Sequence, residues 1–234
     1  MRIKELKLTE HADSLDIDPK RVVAYGWSAG GHLAASAAIF GLDASGDSVS
    51  ARPDALVLVS PAVSLVADGW GQRLLRGRGT ARDISPDEHV RKGLPPTLVL
   101  QGNVDTVTPM AGAKRFCERM RAAGSVCELQ VYKGVGHLFT PAGTPDDGMP
   151  QPDQATSEDA SKRANRFLES LGFLKGTVVG VYVPFHVAAE QPVAADGPLR
   201  GAPLNGDVAL RPGSGLLAFL LFRQGPEHVS QPPA

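Results

Sequence analysis

The sequence predicts an α/β fold: about four parallel strands with flanking helices, followed by an irregular C-terminal tail. Three observations carry this. Apolar runs recur near residues 22–27, 54–60, 97–102 and 126–132. Three of them are apolar almost throughout, as strands covered on both faces must be. Helical signals fall between and after these runs, near 29–40, 86–92, 109–123 and 157–171. The turns that follow three of the strands hold the best candidates for chemistry, and the carboxyl ends of parallel strands are where open α/β sheets handle ligands.

Taken in order, residues 1–15 read as a partial helix that stops at Asp16-Ile17-Asp18-Pro19. The first strand then runs through Val22-Val23-Ala24-Tyr25 into Gly26-Trp27-Ser28-Ala29-Gly30-Gly31-His32 and onto a small-residue helix. Strand, Gly-x-Ser-x-Gly and helix in that order make a nucleophile elbow. The turn is sharp, so the positions two before and two after the serine must be small; Gly26 and Gly30 are. Ser28 would stand out of the turn, and the N–H of Ala29 would point at a developing oxyanion. His32 lies on the elbow helix and is expected to pack or hydrogen-bond rather than act as a base.

The second half of the pattern supplies partners for the serine. Pro96 to Gly102 reads as a buried strand entering a glycine turn, with Asp105 on the loop that follows. A later strand near 126–132 leads to Gly134-Val135-Gly136-His137-Leu138-Phe139, which places His137 on a second such loop. A serine needs a base, and the base needs an orienting acid. In hydrolases built on such an elbow the chain order is serine, acid, histidine, which is the order here. His11, His89, His186 and His228 lie in polar or irregular surroundings and are expected to be exposed.

The helices have recognisable ends. Ser85-Pro86-Asp87-Glu88 combines an N-cap residue, a proline at the first helical position and a capping-box glutamate. Thr108-Pro109 starts the next helix in the same way, and Gly124 and Gly172 are natural stops. In the last helix Ala160, Ala164, Phe167, Leu168 and Leu171 form one apolar stripe. Residues 140–154 read as a long surface loop. Trp70, Leu74, Leu75, Leu138 and Phe139 are candidate walls of a substrate pocket. Cys117 and Cys127 are expected level with each other on adjacent elements, which leaves both a disulfide and two buried thiols open.

Composition excludes several classes. The net charge is −1, with no basic block, so nucleic acid and anionic membrane are not expected partners. No phosphate-binding glycine loop or Cys/His metal cluster occurs, so no cofactor and no metal are expected. The longest late apolar run, 215–222, is too short to span a bilayer. The polar start contains no secretory core, and a cytoplasmic location is expected.

Gly-Trp-Ser-Ala-Gly-Gly-His-Leu-Ala, the Gln-Gly-x-x-Asp-x-x-x-Pro turn and Gly-x-Gly-His-x-Phe together resemble the α/β-hydrolase fold. Within it they look most like carboxylesterases of the hormone-sensitive-lipase and feruloyl/acetyl-esterase-like groups, over roughly residues 10–174. The resemblance implies nucleophile Ser28, acid Asp105, base His137 and the Ala29 N–H as one oxyanion donor, acting on a small-molecule ester through an acyl-enzyme. Gln101 stands where related proteins often have a non-catalytic histidine. Prolyl-oligopeptidase-like peptidases share the fold and a similar spacing, so peptide hydrolysis is the alternative; a non-catalytic fragment is another.

Such esterases complete the oxyanion hole with a loop upstream of the elbow, often His-Gly-Gly. Here 27 residues precede Ser28, and none before Gly26 is a glycine. Residues 1–174 therefore read as the C-terminal portion of a hydrolase domain, and 175–234 as a tail of uncertain structure. Two consequences are expected: weak activity, and self-association through an exposed edge of the strand at 22–27.

Overall fold

The computed structural model describes residues 18, 20–41, 52–69, 71–144 and 150–174, apart from the side chains of 73 and 74, and the backbone course of 178–183, 201–204 and 217–222. Strand β1 (Val22–Trp27) passes through Ser28 into helix α1 (Ala29–Phe40). Then come β2 (Ala55–Val59), two short helices α2 (Leu65–Asp68) and α3 (Gly71–Leu74), and 3-10 turns at Ala81–Ile84 and Pro86–His89. β3 (Thr97–Gly102), α4 (Met110–Ala122), β4 (Cys127–Tyr132), a 3-10 turn at His137–Phe139 and α5 (Gln154–Ser170) complete the α/β part. β5 (Val178–Val183), β6 (Gly201–Leu204) and β7 (Leu217–Phe222) follow.

The strands form one sheet in the order β4-β3-β2-β1-β7-β5-β6. The first four are parallel, as expected, and β1, β2 and β3 are buried throughout, while β4 at the edge is mostly half-buried. β7 joins antiparallel to β1, with Ala24 opposite Phe219, and β5 and β6 continue antiparallel beyond it. The expected open edge at residues 22–27 is therefore not found: β1 has a partner on each side. The apolar run 217–222 can satisfy the β1 backbone because a ladder asks only for aligned N–H and C=O groups, whichever way the added strand runs.

Alternation along the strands divides the core between two faces. On one face Val22, Ala24, Leu56, Leu58 and Val99 meet α1 and the Ala113, Phe116, Cys117 and Met120 stripe of α4. On the other, Val23, Tyr25, Trp27, Val57, Val59 and Leu100 meet Ala160, Ala164, Phe167 and Leu168 of α5. The fifth residue of the expected α5 stripe, Leu171, is instead 36% exposed. It lies just past the helix, where Gly172 at φ 79° turns the chain and Phe173 is buried in its place.

Local signals failed in instructive places. The helix expected over 86–92 is a single 3-10 turn, and Ser85 does not cap it. Ser85 Oγ donates to the buried Asp87 carboxylate at 2.6 Å and accepts from the Leu65 N–H. Asp87 is also held by Ser64 and Arg115, so the Ser85 hydroxyl is engaged in that cluster and not in a cap. The reciprocal capping box lies one turn earlier, between Thr80 and Asp83. The last helix begins at Gln154 and not near 157, because Asp153 caps α5 by accepting from Thr156 N at 2.8 Å. His89 is not a free surface residue: its ring meets Phe40 edge-on at 4.9 Å and bonds the Arg82 carbonyl. The partial helix at 1–15, Trp70, His11, His186 and His228 lie outside the described residues.

Cys117 and Cys127 are joined in a disulfide, with Cα atoms 5.2 Å apart. It ties α4 to the outer strand β4 across a separation of 10 residues. Closing so short a loop in the unfolded chain is worth about 2–3 kcal/mol. The double variant Cys117→Ala/Cys127→Ala should therefore unfold at clearly lower urea. An unchanged midpoint, together with two titratable thiols in the unreduced parent protein, would refute the link.

Candidate active site

The elbow is built on close backbone packing. Ser28 takes φ 51° and ψ −117°, a conformation that costs a non-glycine residue about 1–3 kcal/mol. Its N–H donates to the Val59 carbonyl at 2.9 Å, and its own carbonyl accepts from His32 N and Ala62 N. A Cβ on Gly26 would come within 2.4 Å of the Gly30 carbonyl oxygen, so the small residues expected on either side of the serine are a steric necessity. Of the five non-glycine residues with positive φ among the described residues, Ser28, Ser60, Leu138 and Phe139 lie here and Arg76 does not. Backbone strain gathered in this way marks a place the surrounding fold holds rigidly.

The three sequence-predicted side chains meet. Ser28 Oγ is 2.9 Å from His137 Nε2, and His137 Nδ1 is 3.0 Å from Asp105 Oδ2. The His137 side chain is 15% exposed and that of Asp105 is fully buried. Burial pushes the Asp105 carboxyl up. The hydrogen bond and charge of His137 and the donors of Thr108 outweigh it and hold the group below the usual carboxylate range. An ionised Asp105 requires the imidazole proton on Nδ1, which leaves Nε2 to accept from the serine hydroxyl. That is the arrangement nucleophilic acyl transfer needs.

Around this line are residues whose part the sequence did not disclose. Gln101 Nε2 donates to Asp105 Oδ2 at 3.0 Å and to the Thr108 carbonyl at 2.9 Å. Val107 N and Thr108 N donate to Asp105 Oδ1 at 2.9 and 2.8 Å. Ser60 Oγ accepts from Leu138 N at 3.1 Å and so anchors the histidine loop to the end of β2. Gly102 permits that loop to lie against β3, since a Cβ there would fall 2.4 Å from the Val135 carbonyl oxygen. A glutamine before the acid turn was the visible signal; its contact with the acid was not readable from spacing.

Ala29 opens α1, where no intrahelical carbonyl reaches its N–H. His32 Nδ1 bonds the Ala62 carbonyl at 3.1 Å. Burial holds its pKa down against that bond, which suits the packing role expected of it. Leu138 and Phe139 are buried and share a small cavity with Tyr25, Trp27 and Pro152. Among the described residues no group of three or more His, Cys, Asp or Glu side chains is placed to hold a metal. No described helix is long and apolar enough to cross a membrane.

Asp68, at the end of α2, is half-buried. Its carboxyl is pushed up to about 7, first by burial, then by the charge of Asp87, with Arg115 opposing and Asp105 adding to the rise. A carboxyl raised in the folded state stabilises the protein below the unfolded value near 4 and loses that contribution as pH rises through about 7. Asp68→Asn should therefore melt progressively higher than the parent as pH goes from 5 to 8. A constant difference across that range would show that Asp68 does not titrate there.

Four adjacent parallel strands, a strained serine between β1 and α1, and partners after β3 and β4 define an α/β-hydrolase. The profile of the prolyl oligopeptidase family matches residues 7–149, and the chain belongs to that family. It is also similar to solved esterases. Esterase Est2 of Thermogutta terrifontis with bound propionate is 32% identical with a TM-score of 0.59, covering 72% of this chain and 63% of that one. The same esterase phosphonylated by sarin is 31% identical with a TM-score of 0.59, covering 71% and 63%. Esterase LipC of Mycobacterium tuberculosis is 41% identical over 59 residues, 25% of this chain and 15% of that esterase. The chain thus spans less than two thirds of the length of each.

Proposed function

We propose that the protein is a serine hydrolase of carboxylic esters, with Ser28 as nucleophile, His137 as general base and acid, and Asp105 as the orienting acid. The observation that carries this is the Ser28–His137–Asp105 series, with contacts of 2.9 and 3.0 Å. Ser28 Oγ attacks the ester carbonyl as His137 Nε2 takes its proton. The tetrahedral oxyanion forms beside the Ala29 N–H. His137 returns the proton to the leaving alcohol, and the ester C–O bond breaks to give acyl-Ser28. Water, deprotonated by the same imidazole, releases the acid and restores the serine.

Short acyl chains are the substrate class we favour, because the solved relatives include an esterase bound to propionate and to butyrate. Peptide hydrolysis is the second reading, favoured by the family match. Hydrolysis of p-nitrophenyl acetate, butyrate and octanoate, set beside prolyl peptide anilides, decides between them. Turnover of the anilides with inert esters would reverse the assignment.

A further inference from the structure

Thr108 is expected to begin α4 with Pro109, but the helix starts at Met110 with Pro109 as its N-cap residue, and the Thr108 hydroxyl turns to the site instead. It is buried, 2% exposed, with three polar neighbours: Asp105 Oδ2 at 2.9 Å, the Ser60 carbonyl at 3.0 Å and His137 Nδ1 at 3.2 Å. A hydroxyl has one proton to give. The carboxylate is the stronger acceptor because it is charged. His137 Nδ1 is itself the donor toward Oδ2, so it does not compete for that proton. Asp105 Oδ2 therefore collects three donors: the Thr108 hydroxyl, Gln101 Nε2 and His137 Nδ1.

We propose that Thr108 is a positioning residue which, by donating to the carboxylate oxygen facing His137, limits the grip of Asp105 on the imidazolium and sets the pH at which His137 becomes a free base. This rests on the reading of His137 as the base of Ser28. An oxygen that already satisfies two donors has less charge to offer a third. Without the hydroxyl, Oδ2 holds the protonated imidazole more firmly, and the base is released at higher pH. A further titratable side chain that senses Asp105 is Asp68 on α2.

The test is a ring-proton NMR titration of His137 on the full chain, with Asp68→Asn as common background so that a second carboxyl does not titrate in the same range. Thr108→Val keeps the shape and removes the hydroxyl. It should raise the His137 midpoint by about half to one pH unit, within reach of one charge-assisted bond. The acid limb of fluorophosphonate labelling of Ser28 should move with it, and Thr108→Ser should restore both. Where Thr108→Val does not fold, Thr108→Ala serves in its place. An unmoved midpoint in a folded variant, or a shift that serine does not reverse, overturns the proposal. Absence of labelling in the parent protein would instead overturn the nucleophile assignment, while the ring titration would still test Thr108.

Discussion

Ser28→Ala should abolish covalent labelling by a fluorophosphonate and reduce ester turnover by about 10⁶-fold, the scale lost when a triad serine is removed. The expectation follows from uniqueness of placement. Among the described serines, Ser28 alone bonds a histidine backed by a buried carboxylate. Ser36 has a histidine 3.5 Å from its hydroxyl, but that ring, His32, is turned to the Ala62 carbonyl through its other nitrogen. Intact mass after labelling should show one adduct in the parent and none in the variant. An adduct that persists in Ser28→Ala moves the nucleophile to another residue.

The second large effect is at Asp105. Asp105→Asn preserves size but puts an amide where a carboxylate fixes the tautomer, and loss of about 10⁴-fold in turnover is expected. The cause is specific. With Asp105 ionised, Nδ1 carries the proton and Nε2 is free to accept from Ser28. With asparagine, the amide and its donors Gln101 and Thr108 must rearrange, and the ring can settle in the wrong tautomer. The sign of the pH dependence follows from the same bonds. Asp105 is held below its ordinary range, so the stability it contributes is present above the unfolded carboxylate value and is lost as pH falls through the folded one. The parent protein should therefore lose stability in acid more steeply than Asp105→Asn. Turnover within a few-fold of the parent, in a variant with an unchanged circular dichroism spectrum, would place the acid elsewhere.

The α/β architecture and the three residues of the proposed site were legible in the sequence because each rests on a local rule. Buried parallel strands are continuously apolar, so 22–27, 54–60 and 97–102 identified themselves. The elbow is a steric demand met by Gly26 and Gly30 within five residues. Asp105 and His137 could be selected because each follows directly on a strand, and a parallel sheet brings all such loops to one end. Helix stops at Gly124 and Gly172 were equally local, since a left-handed turn favours glycine.

The rest was decided by groups far apart in the chain. Ser85-Pro86-Asp87-Glu88 satisfies every local rule for a helix start. Yet Asp87 is claimed by Ser64 and by Arg115, 28 residues on, and no helix grows there. Thr108 reads as a cap, but its hydroxyl finds a carboxylate three residues back and a carbonyl 48 residues back. The cysteine pair satisfied two geometries until α4 and β4 were packed. The strand beside β1 came from 217–222, and its pairing is antiparallel. Local sequence specifies conformation where sterics and solvation act within a turn or a strand. It is silent where a buried polar group must choose among partners, because that choice depends on which distant acceptors the fold brings within 3 Å.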